Sequence, residues 1–128
     1  MTDLKIHNPL PNFEKADIAP EKFYEYSMNP DNIGNQKKWM AFEKIGYRIH
    51  NPKERQYAAR DIINQLRNRI PYAPAIPNKA ALYGQRYKVC VQLIGPEGKT
   101  GILVTIWQIE TKENIPRLIT NWLEVHNE

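Results

Sequence analysis

Three prolines between Pro71 and Pro77 separate two parts of the sequence that have different hydrophobic periods. Before them, Ala58, Ile62 and Leu66 recur at helical spacing. After them, apolar and polar residues alternate from Tyr87 to Leu93, which is typical of a strand with one buried face. Helices that precede strands favour a segregated α+β arrangement over a doubly wound parallel sheet. We therefore predict three N-terminal helices packed on a C-terminal antiparallel β-meander of three to four strands.

The helical part contains clear start and stop signals. Asn51 is a suitable N-cap and Pro52 fits the first position of the third helix. In the second helix, Ile33, Met40, Phe42 and Ile45 are expected to pack against the core, and Gly46 provides a left-handed cap. The three predicted helices run from Pro20 to about Met28, from Asn32 to Ile45 and from Asn51 to about Ile70.

The start of the chain contains Asn-Pro, Leu-Pro and Ala-Pro pairs, which favour extended backbone. We expect residues 1–19 to form an extended N-terminal arm and residues 20–128 to form a single α+β domain. No apolar run resembles a signal peptide or a membrane span, which predicts a cytoplasmic protein without a membrane partner and leaves delivery by an export machine open. The single cysteine, Cys90, excludes an intramolecular disulfide and is expected to be buried in a strand.

The net charge of +4 is unevenly distributed along the chain. Between Ile33 and Lys88 there are twelve basic and three acidic side chains, a net charge of +9, and the remaining residues sum to −5. This segment favours a polyanionic partner, and the alternative is a solvated basic face without a partner. Lys53, Arg60 and Arg67 lie seven residues apart, so the third helix should expose them as an outward stripe.

RNA is the polyanion that we predict for this segment. Aromatic side chains near the positive charge could stack on unpaired bases, and Tyr83 or Tyr47 is expected to be exposed for that purpose. The predicted nucleic-acid-binding residues share a positive charge or a ring in this segment: Lys37, Lys53, Arg60, Arg67, Tyr83 and Arg86.

The signatures of phosphate-binding loops, zinc proteases and nucleophile elbows are absent, and the three histidines are far apart, so we predict neither a cofactor nor a metal site. His50 could take the proton from a ribose 2′-hydroxyl, although an exposed loop histidine is the simpler interpretation. Arg117 could stabilise a pentavalent phosphorane, or form a surface ion pair. Arg117 and Thr120 would lie on opposite faces of a regular strand, so a shared site requires a bend or a position at the strand end.

Several motifs spread over residues 18–122 resemble an uncharacterised bacterial domain family found in polymorphic-toxin and phage contexts. The first spans Ile18 to Tyr47 (IAPEKFYEYSMNPDNIGNQKKWMAFEKIGY), and the others are Tyr83-Gly84, Gly95-Pro96-Glu97-Gly98, Trp107 and Pro116 to Thr120 (PRLIT). That family is similar to the barnase, EndoU, colicin and RelE-like group of metal-independent ribonucleases. The resemblance implies helices followed by an antiparallel meander.

The same resemblance implies that Lys38, Arg117 and Thr120 face a common cleft and act in catalysis, with Lys38 as a possible base. His50 has no counterpart in the family pattern, and it is the alternative base on its own chemistry. The leading hypothesis is a toxin-like ribonuclease that acts on cellular RNA and is neutralised by a cognate protein. The alternatives are a non-catalytic nucleic-acid or protein binding module with a basic helical face, and an interaction protein of a phage or toxin locus. The oligomeric state is left open.

Overall fold

The longest helix, α2, spans Pro52–Arg69 in a computed structural model that describes residues 8–78 and 84–126. Asn51 caps α2, because its side-chain oxygen accepts hydrogen bonds from the backbone N–H groups of Lys53 (2.9 Å) and Glu54 (3.1 Å). The helix buries one apolar side in the core, formed mainly by Ala58, Ala59, Ile62 and Leu66. Within the described ranges, no helix has the length and apolar content needed to cross a bilayer.

The prediction of three N-terminal helices is wrong. The segment expected to be the first helix forms one π-helical turn, Lys22–Ser27. The expected second helix divides into a 3-10 turn, Ile33–Asn35, and a six-residue helix α1, Trp39–Lys44. Between the two pieces, Gln36 (φ 55°) and Lys37 (φ 64°) adopt left-handed backbone conformations, through which a right-handed helix cannot continue.

This break changes which side chains pack against the core. Ile33, expected to be buried, is 97% exposed, and Met40 is 51% exposed. Phe42 and Ile45 are buried as expected. The segment before α2 therefore consists of short turns that are held by tertiary contacts.

The four strands form one antiparallel sheet in the order β1-β2-β3-β4. Both ends of the sheet are edges: β1 has three residues and β4 lies beside the π-helical turn. Two shorter 3-10 turns, Phe13–Lys15 and Ile70–Tyr72, complete the described elements. The strands are β1 (Ala75–Pro77), β2 (Gly84–Ile94), β3 (Thr100–Glu110) and β4 (Pro116–Glu124).

The two faces of the sheet have different surroundings. Residues of the core face pack against α2 and the short turns, and they include Val89, Val91, Leu93, Leu103, Trp107, Leu118 and Leu123. The opposite face, which we call the open face, carries the alternate residues. On this face Val104 and Ile106 are buried but do not belong to the core cluster, which places them under the neighbouring side chains of the sheet.

A β-bulge interrupts the pairing of β3 with β4. Thr120 lies opposite Ile106 and Leu118 lies opposite Trp107, so Ile119 is an extra residue without its own partner on β3. Because of this extra residue, Arg117, opposite Gln108, and Thr120 point to the same face of the sheet. The bulge supplies the bend that a shared site of these two residues requires.

Contacts from distant segments cover parts of both sheet edges. Asp17 forms a parallel bridge with Arg117. The Asp17 N–H donates to Pro116 O (2.8 Å), and the Asp17 carbonyl oxygen accepts from Leu118 N–H (3.0 Å). On β2, the Gln65 side-chain amide accepts from Ile94 N–H (2.9 Å) and donates to Ile94 O (2.8 Å). Both contacts occupy backbone groups that would otherwise face outward from the sheet.

Candidate nucleic-acid site

Four residues of β4 project from the open face in a row: Arg117, Thr120, Trp122 and Glu124, whose carboxylate accepts a hydrogen bond from the Trp122 indole N–H (3.2 Å). Thr120 is separated from Arg117 by two positions of the paired strand, roughly 7 Å along the sheet. The Arg117 guanidinium has two acidic neighbours, Asp17 (3.4 Å) and Glu113 (3.5 Å), at half-exposed positions. These contacts are exposed ion pairs of the weak kind, so they leave Arg117 able to exchange its partners for another anion.

Lys38 lies against the edge of β4 and is held by two aromatic residues. Its Nζ donates a hydrogen bond to the Tyr26 hydroxyl (3.0 Å) and lies 4.8 Å from the centre of that ring. The Trp122 ring centre is 5.7 Å from the same nitrogen. Tyr26 and Thr120 also line one shallow groove, so the predicted pair Lys38 and Thr120 lies in one neighbourhood, connected through Tyr26.

The loop that presents Lys38 is built around a buried asparagine. Asn35 is 1% exposed, and its side-chain amide donates to the carbonyl oxygens of Tyr26 (2.7 Å) and Asn29 (2.8 Å). Its side-chain oxygen accepts from Lys37 N–H (2.9 Å). These bonds connect the π-helical turn to the left-handed residues and thereby determine where Lys37 and Lys38 project.

An open groove of about 810 Å³ lies between α1 and the end of β4, and we call it the lysine groove. Its walls combine three lysines with apolar and aromatic surface and one carboxylate: Lys37, Lys38, Met40, Ala41, Glu43, Lys44, Trp122, Leu123 and Val125. Positive charge beside an indole ring is an arrangement that suits a nucleotide, whose phosphate and base need different partners.

His50 lies at another wall of this region, away from the row on β4. Its Nε2 is 2.9 Å from Glu43, which lines the lysine groove, and its ring packs edge-on against Trp39 at 5.4 Å. His50 and Glu43 are both exposed. No contact in the described part of the chain joins His50 to Lys38, Thr120 or Arg117.

The predicted helical stripe Lys53, Arg60 and Arg67, which we call the basic stripe, is exposed on the side of α2 that faces away from the sheet. Arg60 lies 5.9 Å from the ring centre of Tyr57, and Arg67 donates to Ala16 O (3.3 Å). Since α2 packs on the core face, the sheet separates the basic stripe from the open face. The structure thus divides the basic segment between two sides of the molecule.

Arg86, which the sequence also assigned to nucleic-acid binding, is on the open face of β2. Its Nε donates to the Gln108 side-chain oxygen at 3.0 Å. Gln108 is paired in register with both Arg86 and Arg117, so it lies between the two arginines. Lys88 follows two residues later on the same face and is half-buried.

Two predictions about individual side chains are wrong, and one lies outside the described residues. Tyr47 is 3% exposed rather than available for stacking, and its hydroxyl donates to Asp61 (2.6 Å). Burial, followed by the interaction with Asp61, raises the pKa of Tyr47 above its ordinary value. Cys90 is exposed because it points to the open face. Tyr83 lies outside the described ranges.

Sequence reasoning missed four side chains of this region: Tyr26, Trp122, Lys88 and Gln108. Tyr26 belongs to the same motif, Ile18–Tyr47, as Lys38. Pairing the aromatic residues of that motif with its cations could therefore have identified it. Lys88 and Gln108 required the pairing of β2 with β3, and Trp122 required the pairing of β3 with β4, which contains the bulge. Among residues 8–78 and 84–126, no three His, Cys, Asp or Glu side chains are grouped so that they could hold a metal ion.

A comparison with solved structures finds a chain of the contact-dependent growth inhibition toxin and immunity protein complex from Klebsiella pneumoniae 342. The TM-score is 0.57 at 13% identity, and the alignment covers 89% of this chain and 97% of that chain, which shows a shared fold. A comparison with curated proteins finds no match. A family model described as a domain of unknown function, DUF6883, matches residues 9–124. The predicted resemblance to an uncharacterised domain family is thereby confirmed, whereas its relationship to ribonucleases stays a prediction. The chain belongs to the DUF6883 family.

Proposed function

We propose that this chain is a toxin-type ribonuclease domain that cleaves cellular RNA without a metal ion and is neutralised by a cognate protein. The observation that supports it most is the bulge at Ile119, because it brings Arg117 and Thr120 to one face beside the Lys38–Tyr26 pair. A guanidinium, a hydroxyl and an ammonium then border one strip of surface. These are groups that bind the oxygens of a phosphodiester.

The proposed cleavage is a transesterification in which the ribose 2′-oxygen attacks phosphorus and the 5′-oxygen leaves. The intermediate phosphorane carries extra negative charge, which Arg117 and Lys38 would stabilise, while Thr120 donates to a non-bridging oxygen. The Tyr26 hydroxyl accepts a hydrogen bond from Lys38, so its own proton is available for the leaving oxygen.

His50 and Lys38 are the two candidates for the base that accepts the 2′-hydroxyl proton. The Lys38 nitrogen donates a hydrogen bond and lies near two aromatic rings, which is an arrangement that suits an ammonium ion. The His50 ring has a carboxylate partner, Glu43, that can orient it as the third group orients other catalytic bases. We therefore favour His50 as the base, with the ribose in the lysine groove beside Glu43, the groove residue that His50 contacts.

The toxin role and the cognate partner are supported by the shared fold with a chain from a toxin and immunity protein complex. The second candidate function is a non-catalytic binding module. It is favoured by the basic stripe, whose exposed cations could contact phosphates on a side of the molecule where none of the proposed catalytic residues lies.

The test is cleavage of purified RNA by the purified protein in the presence of EDTA. We expect Lys38→Gln and Arg117→Gln each to lower the rate about 100-fold or more, because each removes a charge that stabilises the transition state. Lys99→Gln, at an exposed turn position, is the matched control and should leave the rate unchanged. His50→Gln should remove the acidic limb of the pH–rate profile.

RNA that stays intact between pH 5 and 9 would contradict the ribonuclease function. Binding of intact RNA with an affinity that falls steeply with salt would support the binding module instead. Neutralisation is tested separately, by expressing the protein with and without the product of the adjacent gene. Growth arrest that the neighbour relieves is the expected result, and arrest that persists would contradict a neutralising role for that neighbour.

A further inference from the structure

Two cations of β2, Arg86 and Lys88, have no assigned role in the proposed cleavage. They occupy alternate positions on the open face, roughly 7 Å apart along the strand. The Gln108 side-chain oxygen holds the Arg86 Nε at 3.0 Å, and no other described residue bonds the two terminal amino groups of the guanidinium. No ion pair joins either cation to a carboxylate within residues 8–78 and 84–126.

The register relates this pair to the proposed cleavage site. Arg86 lies two strands from Arg117, and Lys88 lies two strands from Thr120, so each separation is about 10 Å across the sheet. Between them β3 contributes Gln108 and the buried Ile106, neither of which carries a charge. A polyanion can therefore cross from β4 to β2 over Gln108 and Ile106, because Glu110, the carboxylate of β3 on the same face, lies one pair further along the strand.

We propose that Arg86 and Lys88 form a second phosphate-binding site, for the phosphate next to the scissile one in a single-stranded RNA that crosses the open face. The proposal rests on the proposed function. Single-stranded RNA is favoured over a duplex because Trp122, on the open face of β4, can stack only on a base that is unpaired.

The cations on β4 and on β2, where the RNA would enter and leave the open face, have different neighbours. Arg117 already has Asp17 and Glu113 as neighbours, whereas Arg86 is oriented by a neutral amide and Lys88 has no described counter-charge. The phosphate next to the scissile one keeps its charge throughout the cleavage, so the second site should contribute to binding the substrate and the transition state equally. Uniform binding of this kind lowers KM and leaves kcat unchanged.

The first test compares a dinucleoside monophosphate, which has only the scissile phosphate, with a five-nucleotide RNA. We expect Arg86→Gln with Lys88→Gln to raise KM for the longer substrate about 10-fold or more, with kcat and the rate on the dinucleotide unchanged. The control is Lys99→Gln with Lys112→Gln, which removes the same charge from exposed positions outside the open face. An equal loss on both substrates, or no loss on either, would overturn the proposal.

The second test requires no cleavage. The affinity for a five-nucleotide oligodeoxythymidine is measured by fluorescence anisotropy at increasing salt, for the wild type and both double variants. Each phosphate contact to a single strand contributes about 0.7 to the slope of log K against log salt, so the Arg86 and Lys88 variant, which loses one phosphate site, should lose about 0.7. A changed slope without RNA cleavage would retain the binding site and reject the ribonuclease, and an unchanged slope would reject the binding site. Circular dichroism confirms that each variant is folded, and Lys88→Gln alone, with an expected loss below about 0.7, replaces a double variant that is not.

Discussion

The basic stripe of α2 and the cations of the open face carry the same kind of charge in different surroundings. The stripe is exposed, and two of its residues contact a neighbouring ring or a backbone carbonyl. The cations of the open face include half-buried side chains grouped with an amide, a hydroxyl and an indole ring. Only the second group combines charge with groups that can orient an anion.

A run of positive charge along a sequence therefore does not identify one binding surface. The segment between Ile33 and Lys88 has a net charge of +9, but its cations are distributed over α2, the lysine groove and the open face. One of them, Arg55, is buried inside the helical layer. The charge that matters for binding is the part that the fold brings together with other polar and aromatic groups.

The largest effect on the free energy of unfolding is expected at Arg55, the buried cation of α2. Arg55 is 8% exposed, and it donates to the carbonyl oxygens of Tyr24 (2.7 Å) and Ile49 (2.6 Å). Arg55→Ala removes these charge-assisted hydrogen bonds and leaves a cavity, so the free energy of unfolding should fall by about 3 kcal/mol. Urea denaturation measures it. The matched control Arg60→Ala, on the exposed side of the same helix, should change it by less than about 0.5 kcal/mol. A loss for Arg55→Ala as small as the one expected for the control would contradict the structural role of Arg55.

A smaller effect is expected in the loop that presents Lys38. Asn35→Ala leaves two carbonyl oxygens and the Lys37 N–H without their partner, which should lower the free energy of unfolding by about 2 kcal/mol. The control is Asn64→Ala, at an exposed position of α2, with an expected change below about 0.5 kcal/mol. If the ribonuclease proposal holds, Asn35→Ala should also lower kcat. A variant with unchanged stability and rate would contradict the role of Asn35 in positioning the lysines.

The smallest effect is expected at the basic stripe, and this result tests most directly whether the stripe or the open face binds nucleic acid. Lys53→Gln with Arg60→Gln should leave both the stability and the affinity for the five-residue oligonucleotide close to those of the wild type. The matched double variant is Arg86→Gln with Lys88→Gln, which removes the same charge. A greater loss of affinity at the stripe would move the binding surface to α2 and favour the non-catalytic binding module.

The long elements were predictable because their signals are local. Asn51 and Pro52 define the start of α2, and the alternation from Tyr87 to Leu93 defines β2. The division of the expected second helix was not predictable from its own residues. Asn35 holds the left-handed pair that follows it through bonds to Tyr26 and Asn29, which belong to the preceding turns.

The site was predictable in its residue types and less so in its geometry. Lys38, Arg117 and Thr120 could be named from motifs, but their relative positions depend on one extra residue in β4. Strand periodicity alone places Arg117 and Thr120 on opposite faces. Conversely, the spacing of Lys53, Arg60 and Arg67 correctly predicted an exposed stripe and did not indicate that the sheet would separate it from the other cations.

The contact between Gln65 and Ile94 has a consequence for self-association. β1 pairs with β2 only as far as Val89, so the second half of β2 is an edge whose outward peptide groups could pair with a strand of another molecule. The Gln65 amide offers Ile94 the same donor and acceptor as a neighbouring peptide group would, and it does so from a rigid helix. It therefore acts as a one-residue substitute for a fifth strand, which protects the protein against edge-to-edge aggregation while leaving the open face available to a ligand.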